Sequence, residues 1–337
     1  MNAEITRIEA PVSMDLIEEI WTMWETVPED VGVGEDISGL RDELSNAVRT
    51  EDRKLLYVAR VDGKLAGTSV IWVSRRDPKL AEFGLPATAP KFRRRGIGQA
   101  LFDAPVADFR EMHGEAIFLG ASSYAYRTYY RAGYRKLVGS VALAYITNGE
   151  SPEAYLVDFF RDLGPATVSP GEHADRTSAV PLLHTPHNSQ VMDANVNLLS
   201  LRYNQFLGFA GQSGRYVDLL DSEDSTFFAA RAGGRGKVVG LSTAKLRDGT
   251  CSVDGFTHPY YEGSWSDLIE SAVAWGKEHG AIVFAAAVSD EDYEKREMFE
   301  ALGFKDAGKG DGFLLDSMQI KNYEQGKKVG SVRLERS

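Results

Sequence analysis

Behind Ser13 the apolar residues Met14, Ile17, Ile20, Trp21 and Trp24 recur at helical spacing, which predicts a helix capped by the serine. Ile5 to Ile8 reads as a strand before it. Val27 to Gly39, with Pro28, Gly32, Gly34 and a cluster of acids, reads as a loop leading to a second helix through Leu40, Leu44 and Val48. The pattern then changes to strands. "KLLYVARVDGKLAGTSVIWVS" predicts two of them joined at Asp62-Gly63, and "LAEFGLPATAP" a third whose Pro86 belongs at a bulge or an edge. "IGQALFDAPVADFREMHG" predicts a helix ending at Gly114, with Pro105 expected to bend or shorten it. A buried strand "AIFLGAS", a short helix "YAYRTYYRAGY" closing at Gly133 and a last strand "LVGSVALAYI" follow.

From Asn148 to Asn188 the chain is rich in Pro and Gly, with one helix at "PEAYLVDFFRDLG", and reads as a connector. The element order then recurs: a helix near "NVNLLSLRYNQFL", strands "STFFAARAG", "KVVGLSTAKL" and "TCSVDGFTHP", a helix "SWSDLIESAVAWGKEHG", a strand "AIVFAAAV", a short helix "YEKREMFEALGF" and a strand "GFLLDSM". A repeat of about 150 residues is too long for a solenoid unit, so it predicts two copies of one domain. The expected boundaries are 1–147 and 165–337, with 148–164 between them.

Composition narrows the function. The 337 residues, 43% hydrophobic and 26% charged, suit two globular domains. No basic leader and no apolar run near ~20 residues is present, so the expectation is no membrane and a cytoplasmic location. Cys251 stands alone, which excludes an intrachain disulfide or CxxC site, and the six histidines lack metal-ligand spacing, so no metal is expected. Twelve acids face three bases in residues 1–50 of a chain of net charge -11, a balance that repels nucleic acid.

Against that charge, "PKFRRRGIGQ" sets Arg93, Arg94 and Arg95 before Gly96-Ile97-Gly98-Gln99 at a strand-to-helix turn. The first N–H groups of a helix lack intrahelical partners, the macrodipole is positive there, and glycines let a phosphate approach the backbone. An anion site is expected. No Gly-Lys-Ser/Thr follows for a Walker A loop, and the third glycine of a dinucleotide fingerprint is missing.

The Pro-x-x-Arg-x-x-Gly-x-Gly run from Pro90 to Gly98 resembles the acetyl-CoA signature of the GCN5-related N-acetyltransferases (GNAT). "SSYAYRTYYRAGY" resembles that family's second signature, with Ser122 at its Asn position, Ala125 and Tyr129 matching, and Gly133-Tyr134 for Gly-Phe. The resemblance implies an α/β (α+β) fold of two tandem GNAT-like domains, each a mixed, mostly antiparallel sheet of about six to seven strands flanked by helices. It implies acetyl-CoA as acyl donor, wedged between the fourth and fifth strands. Its pyrophosphate is expected on the backbone of residues 94 to 99 with Arg93 to Arg95 and Ser122 nearby, and its pantetheine along Pro86, Ala87 and Thr88. Tyr129 matches the tyrosine that protonates the departing thiolate. Where many relatives carry a glutamate base the chain has Leu85; Glu82, three residues earlier, ordinarily faces the other side unless a bulge at Pro86 resets the alternation. Trp24, Glu25, Glu29, Asp30 and Glu35 fall where this fold lines its acceptor site, and their acidity favours a cationic amine.

Aligned on Pro259, the second copy has Glu262 for Arg93, Trp265 for Gly96, Asp267 for Gly98 and Phe299 for Tyr129, so it is expected neither to bind CoA nor to catalyse. It would instead wall the acceptor site, stabilise the first domain or bind an unrelated ligand, with His258 and Cys251 structural. The tandem plan is similar to that of the mycothiol synthases, whose C-terminal copy is the active one. Three functions remain open: a small-amine acetyltransferase, a protein or peptide N-acetyltransferase, and a CoA-ester-binding regulatory module, acting as monomer or homodimer.

Overall fold

Among the described residues the first part of the chain forms eleven helices and strands: β1 (Glu4–Glu9), α1 (Met14–Trp24), α2 (Ser38–Ser45), β2 (Arg53–Val61), β3 (Lys64–Val73), β4 (Leu80–Thr88), α3 (Ile97–Glu111), β5 (Ala116–Gly120), α4 (Tyr126–Arg131), β6 (Arg135–Lys136) and β7 (Ala142–Ile146). The computed structural model describes residues 3–27, 38–45, 52–120, 126–138, 142–200, 212–315 and 328–337. It divides into two units, Met1–Tyr155 and Leu156–Ser337, with the division inside helix α5 (Pro152–Phe159).

The Ser13 hydroxyl accepts from Leu16 N and caps α1. Asp62 and Gly63 are both left-handed, as a two-residue hairpin turn matching strand twist requires. The sheet order is β1-β2-β3-β4-β5-β7-β6, and its pairs are antiparallel except β4 with β5. Those two run parallel for three positions only, Leu80, Ala81 and Glu82 facing Ala116, Ile117 and Phe118, and then part. Trp24 Nε1 donates to Thr68 Oγ1 (2.9 Å) and Ser69 Oγ to Leu101 O (2.8 Å). Adjacent strand residues point to opposite faces, so α1 covers one face of the sheet and α3 the other.

Pro105 does not shorten α3, which continues to Glu111. The carbonyl that Pro105 deprives of a helical donor is Leu101 O, and Ser69 Oγ supplies the replacement. The described part of the last predicted strand is β7, and Arg135 and Lys136, which lie ahead of that prediction, form β6 and pair with Ala144 and Leu143.

The second unit continues with β8 (Thr167–Pro170), α6 (Asp175–Ser178), α7 (Val180–His184), β9 (Val191–Asp193), β10 (Leu198–Leu199), α8 (Gly214–Val217), β11 (Ser225–Ala232), β12 (Lys237–Arg247), β13 (Thr250–Thr257), α9 (Trp265–Glu278), β14 (Val283–Ser289), α10 (Tyr293–Ala301), β15 (Lys305–Lys309), β16 (Phe313–Leu314), β17 (Lys328–Val329) and β18 (Ser331–Arg336). Its sheet order, β15-β18-β14-β13-β12-β11-β8, repeats the first position by position, down to three parallel pairs between β13 and β14. Three expectations change. The Pro- and Gly-rich stretch already holds β8, α6 and α7. The helix expected near "NVNLLSLRYNQFL" begins as a 3-10 turn and β10, because the Asp193 carboxylate takes Asn195 N and turns the chain; residues 201–211 lie outside the described residues. The described part of "GFLLDSM" holds β16, which pairs with β17 off the main sheet, and β18 takes the place beside β14.

Candidate active site

The wedge between β4 and β5 is shaped by an irregularity in β4. Thr68 faces Ala87 and Val70 faces Gly84, so Ser69 on β3 is opposed by two residues, Leu85 and Pro86. Leu85 takes the left-handed conformation (φ 55°). The bulge resets the alternation, so Glu82, Gly84 and Ala87 share the α1 face. Ala89 N bonds to Ala66 O on β3, which turns the N–H and C=O of Thr88 toward the open side. Arg93 Nε donates to that Thr88 carbonyl (3.2 Å).

The following turn is open and cationic. Arg94 (φ 61°) and Gly96 (φ 80°) are left-handed on either side of Arg95, a nest-like backbone suited to an anion. Gly96 caps α3 without a side-chain bond, and the first helical bond runs from Ala100 N to Gly96 O, leaving the N–H groups of Ile97, Gly98 and Gln99 without helical partners. A side chain at Gly96 would meet nothing within 4 Å, and one at Gly98 only Thr88 Oγ1 at 3.7 Å. Arg93, Arg94 and Arg95 are exposed and make no ion pair among the described residues; Arg95 rests over the Phe92 ring at 5.6 Å. Ile97 is buried as an anchor, while the Gln99 amide is turned to Asp103 (2.8 Å).

The two catalytic candidates flank the wedge from opposite faces. Glu82 lies at its apex on the α1 face, 2% exposed, in register with Trp72 and Phe118. Tyr129, on α4, is 5% exposed on the α3 face, edge-on to Phe102 at 4.7 Å and to Tyr134 at 6.1 Å. Trp24 belongs to the core, with its indole N–H bound to Thr68, whereas Glu25 is exposed at the end of α1. Ser122, Ala125, Glu29, Asp30 and Glu35 lie outside the described residues. Sequence reasoning missed Trp72, which the register sets beside Glu82; its signal, a tryptophan facing a glycine across a strand pair, is legible only once the register is known.

The second copy closes the equivalent place. Gly67 and Gly240 lie against the Cδ1 atoms of Leu101 and Leu268, and the hydroxyls of Ser69 and Ser242 donate to the carbonyls of the same two leucines (2.8 and 2.9 Å). These matches correct the alignment on Pro259: the second turn is two residues shorter, so Trp265 stands at the place of Gly98, not Gly96, and Asp267 at that of Ala100. β12 and β13 pair without a bulge. Trp265 Nε1 donates to Gly255 O (3.0 Å), at the level where the first copy bulges, and its ring meets Phe299 edge-on at 4.9 Å. On the other face Lys295 Nζ holds Val191 O (3.0 Å), Met192 O (2.9 Å) and Asp254 (2.6 Å), and Asp254 accepts Ala194 N (2.7 Å). The chain's own β9 is thus fastened between β13 and α10. His258 caps its turn through Tyr260 N, burial pushing its pKa down to about 4, and burial pushes the Cys251 thiol up to about 11.

Residues 32–146 match the family model described as an acetyltransferase (GNAT) domain. The first unit therefore carries a GNAT acetyltransferase domain. Similar solved structures include a GNAT-family acetyltransferase from Streptococcus pneumoniae (17% identical, 51% of this chain and 98% of that chain, TM-score 0.36) and a phosphinothricin acetyltransferase from Sinorhizobium meliloti in complex with AcCoA (17%, 51% and 87%, TM-score 0.37). A spermidine/spermine N-acetyltransferase from Vibrio cholerae is 15% identical over 51% of this chain and 92% of that chain, TM-score 0.34. No curated protein matches. Among the described residues no helix is long and apolar enough to cross a membrane, and no group of three or more His, Cys, Asp or Glu could hold a metal ion.

Proposed function

We propose that the first unit is an acetyl-CoA-dependent N-acetyltransferase that passes its acetyl group to a small cationic amine by direct attack on the thioester, and that the second unit is a copy of the fold that neither binds the donor nor catalyses. The observation that carries this reading is the contrast between the two wedges. One has a bulged strand and bare glycines beside an arginine turn; the other has a regular strand and an indole bonded across it.

The residues present fit the donor, which supplies an activated acyl group when bound. Arg93 to Arg95 neutralise a pyrophosphate on the N–H groups of residues 94 to 99, where Gly96 and Gly98 leave clearance. The outward edge of β4 at Pro86 and Thr88, on either side of Ala87 whose backbone groups face β3, offers backbone groups to the pantetheine amides, and a strand N–H at the bulge stabilises the oxyanion. Tyr129 gives a proton to the departing sulfur from the α3 face. Glu82, on the opposite face, takes the proton that the acceptor ammonium must lose, through water because it is covered. Glu25 and the acids Glu29, Asp30 and Glu35 bias the acceptor toward a cation, with Trp24 backing that side.

Acetyl-CoA at a hundredfold excess over Kd should stabilise the native state by about 2.7 kcal/mol. Gly98→Trp, which copies the second unit, and Arg93→Glu should each abolish the shift in melting temperature; a shift surviving both places the pocket elsewhere. Tyr129→Phe should keep the shift and lose free-thiol release across a panel of amines. Equal turnover of neutral or acidic acceptors would overturn the cationic-amine assignment.

A further inference from the structure

Access along β4 ends abruptly. Leu85, Pro86 and Thr88 are half-exposed, whereas Glu82, Phe83 and Gly84 are covered. What covers Gly84 is Trp72. On the α1 face Val70 pairs with Gly84 and Trp72 with Glu82, so the indole reaches Gly84 diagonally across the strand pair. A Cβ on Gly84 would stand 2.8 Å from Trp72 Cζ3 and 3.2 Å from Cη2, so the six-membered ring lies directly on the glycine backbone. Trp72 is 5% exposed, and its Nε1 donates to Glu43 Oε2 at 3.1 Å, which fixes the ring plane. On the other face Phe83 packs against Phe102 (4.9 Å) and Tyr134 (6.2 Å). One residue inward of the bulge, the wedge therefore ends between an anchored indole and an aromatic cluster.

We infer that Trp72 sets the length of the acyl group this site accepts, stopping it at two carbons. The inference rests on the reading of the first unit as an acyl-CoA site. A thioester held at the bulge directs its acyl chain toward the apex, because the pyrophosphate end lies in the opposite direction at the arginine turn. The next strand position in that direction is Gly84, already occupied by the ring. A chain longer than acetyl must displace an indole that is both packed and hydrogen-bonded, and the interior has no slack to receive it. The glycine is what lets the ring lie there, and the ring is what closes the pocket.

The test measures dissociation constants of CoA, acetyl-CoA, propionyl-CoA and butyryl-CoA for the full chain and for Trp72→Leu by calorimetry. The wild type should bind CoA and acetyl-CoA alike and lose about tenfold per added methylene. Trp72→Leu should bring butyryl-CoA within about twofold of acetyl-CoA while leaving CoA unchanged. Should Trp72→Leu fail to fold, Trp72→Phe, which removes the ring atoms over Gly84 but keeps an aromatic core residue, is read in the same way. Butyryl-CoA binding the wild type as tightly as acetyl-CoA, or discrimination persisting in the variant, overturns the gauge and leaves the CoA site standing. Failure of the wild type to bind CoA itself overturns the site and the gauge together.

Discussion

Tyr134 carries its hydroxyl into the middle of the first unit. The ring is fully buried among Phe83, Tyr129 and Tyr145, and the oxygen has no hydrogen-bond partner among the described residues. Burial holds its ionisation well above the ordinary tyrosine range, so it stays neutral. A buried hydroxyl without a partner costs about 1–3 kcal/mol, and phenylalanine is the usual residue at this point of the signature. Tyr134→Phe is therefore expected to leave stability unchanged or to raise it within that range, measured by urea unfolding; a loss beyond about 1 kcal/mol would show that the hydroxyl is satisfied. Residue types were the most legible level of the sequence. Arginines and glycines marked an exposed cationic turn at the start of α3 because their chemistry acts locally. Trp265 was assigned to the wrong neighbour because a two-residue shortening inside an irregular turn leaves no periodic trace.

The strand and helix that frame the wedge each break a local rule, and each break has a partner. Pro86 announced a bulge in β4, yet the left-handed residue is Leu85 and not the adjacent Gly84. A non-glycine residue there costs roughly 1–2 kcal/mol. Gly84 is committed to clearance beneath Trp72, a demand set by a residue twelve positions away that no local pattern reveals. Likewise Pro105 suggested a shortened helix, and the compensating donor sits on β3. Ser69→Ala should leave Leu101 O, already deprived by Pro105, without its donor, destabilising the first unit by about 1–3 kcal/mol. Pro105→Ala restores a backbone N–H to that carbonyl, so Ser69→Ala on the Pro105→Ala background should cost clearly less in a double-mutant cycle; equal losses in both backgrounds would remove Leu101 O from the account.

Across the whole chain the duplication was legible because three strands, a helix, a strand and a short helix recur in hydrophobic period, whereas β8, β15 and β18 were missed, and the seal that Asp254 and Lys295 make on β9, joining residues about 60 to 100 positions apart, left no local trace. That seal has a pH signature. Asp193 is fully buried beside Asp254, with Lys295 the nearby cation; burial first, and the neighbouring carboxylate second, push its pKa up to about 7. Thr243 and Tyr216, whose hydroxyls reach its carboxyl at 2.9 and 3.2 Å, can turn to accept its proton. The folded value lies above the ordinary carboxylate value, so the folded second unit holds a proton that the unfolded chain releases. This contribution is complete below the unfolded pKa and is lost as pH rises through about 7. The full chain should therefore show its second-unit transition falling in temperature between pH 5 and pH 8, measured by calorimetry. Asp193→Asn, permanently neutral, should flatten that slope. Asp254→Asn should instead lower the transition at every pH, because it strands Lys295 in the interior. A wild-type transition that stays level from pH 5 to pH 8 would mean that Asp193 is already ionised in the fold, held by its three donors and Lys295.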